Sequence, residues 1–212
     1  MNDILQRPSP ITVVVATNNA HKVAEIQAAL AIAGMRFIPV SEVRGDWKSP
    51  IEDADTFEGN ASIKACAVHA ATGLPALADD SGLEVDALGG APGVTSSSYG
   101  GIEGDDALNN SRLLDELRDI DDKHRTARFV STLVLVGLDE FVEGMPAVVT
   151  VTGCVEGTIG RSPRGAHGFG YDPLFLPSAT PGKTMAELTL SEKNEISHRG
   201  QALERLRVRL EV

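Results

Sequence analysis

Ile11-Thr12-Val13-Val14-Val15-Ala16-Thr17-Asn18-Asn19-Ala20-His21-Lys22 sets the fold. Its first half is a short, continuous apolar run rich in β-branched residues, the composition of a strand covered on both faces. Its second half is polar and leads into Val23, Ile26 and Leu30, which recur at helical spacing with Ala29 and Ala33 beside them. Asn18 or Asn19 supplies a cap and Gly34 a stop, so the spacing predicts a helix to about Ala33. Met35 to Val40 then reads as a second strand. In such a β-α-β opening the polar turn lies at the carboxyl end of the first strand, where open α/β sheets bind ligands.

Working outward, Ser41 to Ala54 reads as a loop, and Asp55-Thr56-Phe57-Glu58 resembles a helix start with a cap oxygen three residues before a glutamate. That helix runs to Gly73. Ala76-Leu77-Ala78 is apolar and leads into Asp79-Asp80-Ser81-Gly82, read as the end of a strand. Asp105 to Leu117 forms a helix with Leu108, Leu113, Leu114 and Leu117 on its buried side. Two long strands follow, Ala127 to Leu138 and Ala147 to Glu156, with hairpin chemistry at Gly144 and Pro146. Tyr171 to Leu176 returns as a strand, Thr184 to Leu188 as a helical turn, and Ser191 caps a segment leading into a terminal amphipathic helix through Ala202, Leu203, Leu206 and Leu210. The expected class is α/β: an elongated mixed β-sheet flanked by helices.

With 212 residues, 42% hydrophobic and 23% charged, the composition is that of an ordinary globular chain. Residues 1–10 read as a polar lead-in and 11–212 as one domain. Thirty acidic residues against nineteen basic, a net charge of -11, argue against a nucleic-acid polymer, which needs a broad basic surface. A single nucleotide needs only a few local cations. Cys66 and Cys154 are too few for a disulfide framework or a zinc site and read as small buried hydrophobes. No apolar run has membrane-spanning length and the first residues lack a signal-peptide pattern, so no membrane partner and a cytoplasmic setting are expected.

Four stretches can carry chemistry. Thr17 to Lys22 joins a hydroxyl, two amides and free helix N-terminal amides to a lysine, which is an anion site; its plain alternative is a routine cap with Lys22 in solvent. Asp79-Asp80-Ser81-Gly82 has the carboxylates to hold Mg²⁺ and to take a proton from water, or it is a solvated acidic turn. Glu84 and Asp86 alternate with apolar residues and read as solvent-facing. In His167-Gly168-Phe169-Gly170-Tyr171-Asp172-Pro173, Phe169 can stack on a base and Asp172 can accept from it; the alternative is a turn with Phe169 plugging the core. Lys193, His198 and Arg199 form a local cationic patch, or else a solvated helix start. His69 and His124 carry no assigned role.

In this order the motifs resemble the inosine/xanthosine triphosphate pyrophosphatase family, the Ham1-like enzymes, from Val13 to about Leu206. The carrying residues are Thr17, Asn19 and Lys22, Thr56-Phe57 to Asn60, Leu77 to Leu83, Leu88 to Gly93, Gly168 to Pro173, and Ser197-His198-Arg199-Gly200. The resemblance implies a Mg²⁺-dependent hydrolase that cleaves ITP, dITP or XTP between the α and β phosphates. It also implies a two-lobed molecule with the substrate between the lobes, working as a homodimer. By the same resemblance Thr17, Asn19 and Lys22 hold phosphates, and Asn18, Ala20 and His21 of the same turn belong to the substrate site. Asp80 binds metal and acts as base, with Asp79 supporting and Ser81 lining the substrate. Phe169, Gly170, Tyr171 and Asp172 line the base pocket, with Lys193, His198 and Arg199 as donors.

A donor from His198 or Arg199 favours 6-oxo bases over adenine, because an unpaired buried donor costs about 1–3 kcal/mol. The chain departs from the family pattern in carrying Gly59 where relatives have an acidic residue, Ser98 where an arginine is common, and Asn18 where glycine is common. Glu58 sits one residue before Gly59, about 100° away on a helix. Two other readings compete: a broader pyrophosphatase for modified nucleotides, and a nucleotide-binding module without catalysis.

Overall fold

The computed structural model describes residues 9–17 and 19–211. The elements run β1 (Ile11–Val15), α1 (Ala20–Ala29), β2 (Met35–Pro39), α2 (Val40–Val43), α3 (Phe57–Thr72), β3 (Ala76–Val85), α4 (Asp106–Glu116), β4 (Thr126–Val136), β5 (Val148–Ile159), β6 (Phe175–Pro177), α5 (Leu190–Ile196) and α6 (His198–Leu210). One six-stranded sheet has the order β2-β1-β3-β4-β5-β6. β1 is parallel to β2 and β3, and the remaining neighbours are antiparallel, so the sheet is mixed as expected. Among the described residues no helix is long and apolar enough to cross a membrane.

The β-branched run of β1 is covered on both sides. Val13 and Val15 pack with Val23 and Ile26 of α1, with Leu30 just past its end, and with Leu203 and Leu206 of α6. Val14 and Ala16 pack with Ala61, Ala65 and Val68 of α3. Burying residues such as Ile26 and Leu30, which are at most 1% exposed, contributes about 1.5–3 kcal/mol each. A third cluster joins Leu83 and Val85 of β3 to Phe129, Val155, Leu113, Leu117, Tyr171 and Phe175. Leu77 and Ala78 belong to the first clusters and Leu83 to the third, so β3 carries a polar window, Asp79 to Gly82, between two bodies of core.

That window corrects one expectation. Asp79-Asp80-Ser81-Gly82 lies in the middle of a ten-residue strand, not at a strand end. What ends there is β1, whose pairing with β3 stops at Leu77, while β4 pairs with β3 along its whole length. The acidic pair thus sits just beyond the carboxyl end of the neighbouring strand.

Other differences are local. Thr56 caps α3, accepting from the Gly59 amide at 3.0 Å, in place of Asp55. Leu108 is 41% exposed, because the buried face of α4 runs through Asn109 and Leu113. Tyr171 to Leu174 forms a turn, leaving β6 only three residues. Cys66 is exposed and Cys154 half-buried, so neither is a core hydrophobe; burial pushes the Cys154 thiol up to about 11. Glu84 and Asp86 do not stand alone in solvent: Arg128 pairs with both and with Glu156 across β3, β4 and β5. The terminal helix is broken at Ser197, which caps α6 by accepting the Gly200 amide at 3.0 Å.

Candidate functional site

Along β3 side chains alternate between faces, and this sorts the acidic window. Asp79 and Ser81 turn toward α6, and Asp80 turns toward α3. Asp79 is buried, accepts from the Ser131 hydroxyl at 2.8 Å, and has Lys22 at 2.9 Å and Arg199 at 3.0 Å on its other oxygen. Burial acts to raise its pKa, but Lys22 and Arg199 outweigh it and hold the carboxyl far below the usual range. Asp80 is half-buried, 2.9 Å from the Lys64 ammonium. Burial pushes its pKa up, and Lys64 only partly offsets that.

The turn between β1 and α1 is held by its own polar side chains. Thr17 follows β1 and accepts the Asn19 amide at 3.1 Å; Asn19 accepts the Lys22 amide at 3.2 Å, capping α1. Lys22 is not in solvent but paired to Asp79, its side chain 20% exposed. Asn18 lies outside the described residues. Ala20 and His21 open α1, and their side chains lie outside the description as well.

A carboxylate missing from the sequence reading is Glu52. Its Oε2 lies 2.7 Å from the same Lys64 ammonium that Asp80 contacts. The loop carrying Glu52 is tied down by Asn60, which accepts the Ala54 amide at 3.0 Å. Gly59 permits that closure, since a methyl group at 59 would lie 2.6 Å from the Ala54 side chain. Glu58 is exposed and instead accepts from Thr150 at 3.3 Å. So the helix carboxylate absent at Gly59 is not supplied by Glu58. The signal that was available is Asn60 and Lys64 at i, i+4 on the buried face of α3.

At the other end, Asp172 is buried, accepting the Phe169 amide at 2.9 Å and pairing with Lys193 at 2.5 Å. The Lys193 ammonium stands 4.7 Å from the Phe169 ring centroid. Phe169 is 48% exposed, so it is not a core plug. Gly168 is required where φ is +81°, with the Asp172 carboxylate against its open side. Gly170 is fixed by Asp106 at 2.6 Å and Asn110 at 2.8 Å, and buried Tyr171 donates to the Ser96 carbonyl at 2.9 Å.

His198 and Arg199 form the first turn of α6. Burial, with Arg199 second, lowers the His198 pKa to about 3, so the ring is neutral. Arg199, 4% exposed, donates to Asp79, to Glu25 at 2.8 Å and to Ser81 at 3.1 Å. It is a hub joining α6, β3 and α1.

A cleft of about 670 Å³ runs between these groups. Thr17, Asn19, Lys22, Asp79, Asp80, Ser81, Phe169, Gly170, Tyr171, Asp172, Lys193, His198 and Arg199 all line it. So do Glu25, Glu52, Lys64 and Phe129, which sequence reasoning left out.

Cations and a helix start at one end, an aromatic and glycine wall at the other, and carboxylates between them define an α/β protein with a cleft suited to a phosphorylated, flat ligand. The chain belongs to the Ham1 family, whose family model matches residues 13–209. It is 49% identical over 197 residues to a dITP/XTP pyrophosphatase of Nocardia farcinica, covering 92% of each chain. It is 50% identical over 191 residues to a dITP/XTP pyrophosphatase of Deinococcus radiodurans, covering 90% of this chain and 88% of that one. Among solved structures, a Ham1 protein of Coxiella burnetii matches with a TM-score of 0.83 at 44% identity, covering 94% of this chain and 98% of that one. The Staphylococcus aureus Ham1 protein also gives 0.83, at 36% identity and the same coverage.

Proposed function

We propose that this chain hydrolyses noncanonical purine nucleoside triphosphates of the dITP and XTP kind to the monophosphate and pyrophosphate, with Mg²⁺. The observation that carries the reading is the convergence of Asp80 and Glu52 on one cation position, 2.9 and 2.7 Å from the Lys64 ammonium, in the cleft that Lys22 and Phe169 also line. The names of the relatives support the same reaction.

The donor set fits Mg²⁺. Two carboxylates that already share a cation are the oxygen ligands this ion takes, the rest being water and phosphate oxygens. Asp80 and Glu52 would hold it, and when bound it supplies positive charge against the triphosphate. Asp79, expected as a second ligand, has both oxygens engaged by Ser131, Lys22 and Arg199. Its role in this reading is to anchor two cations.

The chain's own groups divide the work. Lys22 and the first amides of α1 hold phosphate oxygens. Asp80 accepts a proton from water as the water oxygen bonds to the α-phosphorus. The bond from that phosphorus to the bridging oxygen breaks, and pyrophosphate leaves. Phe169 stacks on the base. His198 is neutral, so one of its nitrogens carries a proton to offer a 6-oxo group. Homodimer formation and a cytoplasmic setting belong to this reading, and light scattering after size exclusion checks the first.

The test is pyrophosphate release with Mg²⁺ from ITP and XTP beside ATP and GTP. Strong preference for ITP and XTP is expected. Equal turnover of all four overturns the substrate assignment, and binding without pyrophosphate release overturns the reaction.

A further inference from the structure

A ring that reads a ligand by hydrogen bonding needs a fixed plane, and the plane of an imidazole is ordinarily set by a hydrogen bond from its second nitrogen. His198 has no such bond among the described residues: its Nδ1 is buried without a partner. Nε2 is then the nitrogen left to face the cleft that His198 lines. The backbone of His198 fixes only the start of the side chain.

What the ring does have is a flat neighbour. Phe129 on β4 lies parallel to it, with ring centroids 5.0 Å apart and planes 15° apart. Phe129 is itself held from behind by Phe175, at 4.6 Å and a 55° tilt. Phe129 also lines the cleft, 7% exposed. The three rings make a row from the edge strand β6 through β4 to the first residue of α6. An offset or parallel stack of this kind adds orientation as well as apolar contact.

We propose that Phe129 is a positioning residue for base selection, setting the plane of the His198 ring in place of a hydrogen bond to Nδ1. The proposal rests on the reading that His198 meets the base. The burial of Nδ1 is in keeping with an imidazole that stays neutral and offers one fixed donor.

The test is a double-mutant cycle on the full chain, read as the ratio of kcat/KM for ITP to that for ATP, with thermal melting alongside. His198→Ala should lower the ratio at least tenfold. Phe129→Leu keeps apolar bulk but loses the flat face, and should lower the ratio several-fold, chiefly through KM for ITP. Phe129→Tyr keeps the flat face and should retain it. In the double variant, Phe129→Leu should add no further loss. If Phe129→Leu does not fold, Phe129→Met takes its place in the same cycle. An unchanged ratio in a folded Phe129→Leu or Phe129→Met protein, or additive losses, overturns the proposal. An unchanged ratio in His198→Ala overturns instead the reading that His198 meets the base.

Discussion

The Lys64 ammonium stands 2.9 Å from one carboxylate oxygen of Asp80, yet Asp80 holds its proton more tightly than an ordinary aspartate. Burial outweighs the ion pair. For an acid with a raised folded pKa, ionisation costs stability: no cost exists below the unfolded value near 3.8, and the full cost is present above the folded one. Asp80→Asn should therefore abolish turnover while melting at or above the wild-type temperature at pH 7. That advantage should vanish near pH 3. Near-normal turnover in the variant would remove Asp80 from the chemistry.

Asp79 has the opposite sign. Its folded pKa is depressed by Lys22 and Arg199, so it contributes stability above the unfolded value near 3.8 and loses it as pH falls below that. Asp79→Asn leaves a buried guanidinium short of a counter-charge, a change that costs about 3–5 kcal/mol. Denaturant melts at pH 7 should show that loss, and a cost below ~1 kcal/mol would show that Glu25 alone neutralises Arg199.

Gly153 on β5 lies directly under the first turns of α6. A methyl group there would lie 2.6 Å from the Ala202 amide nitrogen and press on the His198 carbonyl. Gly153→Ala should push back the start of α6, costing about 1–3 kcal/mol of stability. Activity should fall by more than this destabilisation explains, because His198 and Arg199 move with the helix. Steady-state kinetics well below the melting temperature check this.

His198 should not titrate across the working range. Its pKa is lowered from 6.5 to about 3 by burial and by Arg199, Lys193 and Lys22, with Asp79 acting the other way. Protonation of the unfolded chain then erodes stability as pH falls from 6.5 toward 3. The His198 ring proton signals in NMR should stay flat from about pH 5 to 9. A titration near 6.5 would mean that the ring is open to water.

The two ends of the cleft were legible because each is local. Ile11 to Lys22 carries a strand, a cap and a helix start within twelve residues, and Gly168 to Asp172 closes on itself through the Phe169 amide. The mixed sheet followed from apolar runs of period two and one. The roles that failed to read depend on distant pairing. Asp79 and Asp80 look alike in sequence, and only the alternation along β3 sends one to Arg199 and the other to Lys64. Glu52 sits in a polar loop with no periodicity, and its place is set by Asn60 and the empty side of Gly59. Phe129 looked like one more apolar residue in a long strand.

The Arg199 hub has a consequence for how the molecule comes into being. Its guanidinium meets Glu25, 174 positions earlier in the chain, and the same Asp79 oxygen that Lys22 uses. The earliest and latest helices are thus clasped at one carboxylate. A chain still being made on the ribosome has no finished cleft until α6 has emerged. The wall that His198 and Arg199 give the cleft is therefore the last part of it to be synthesised.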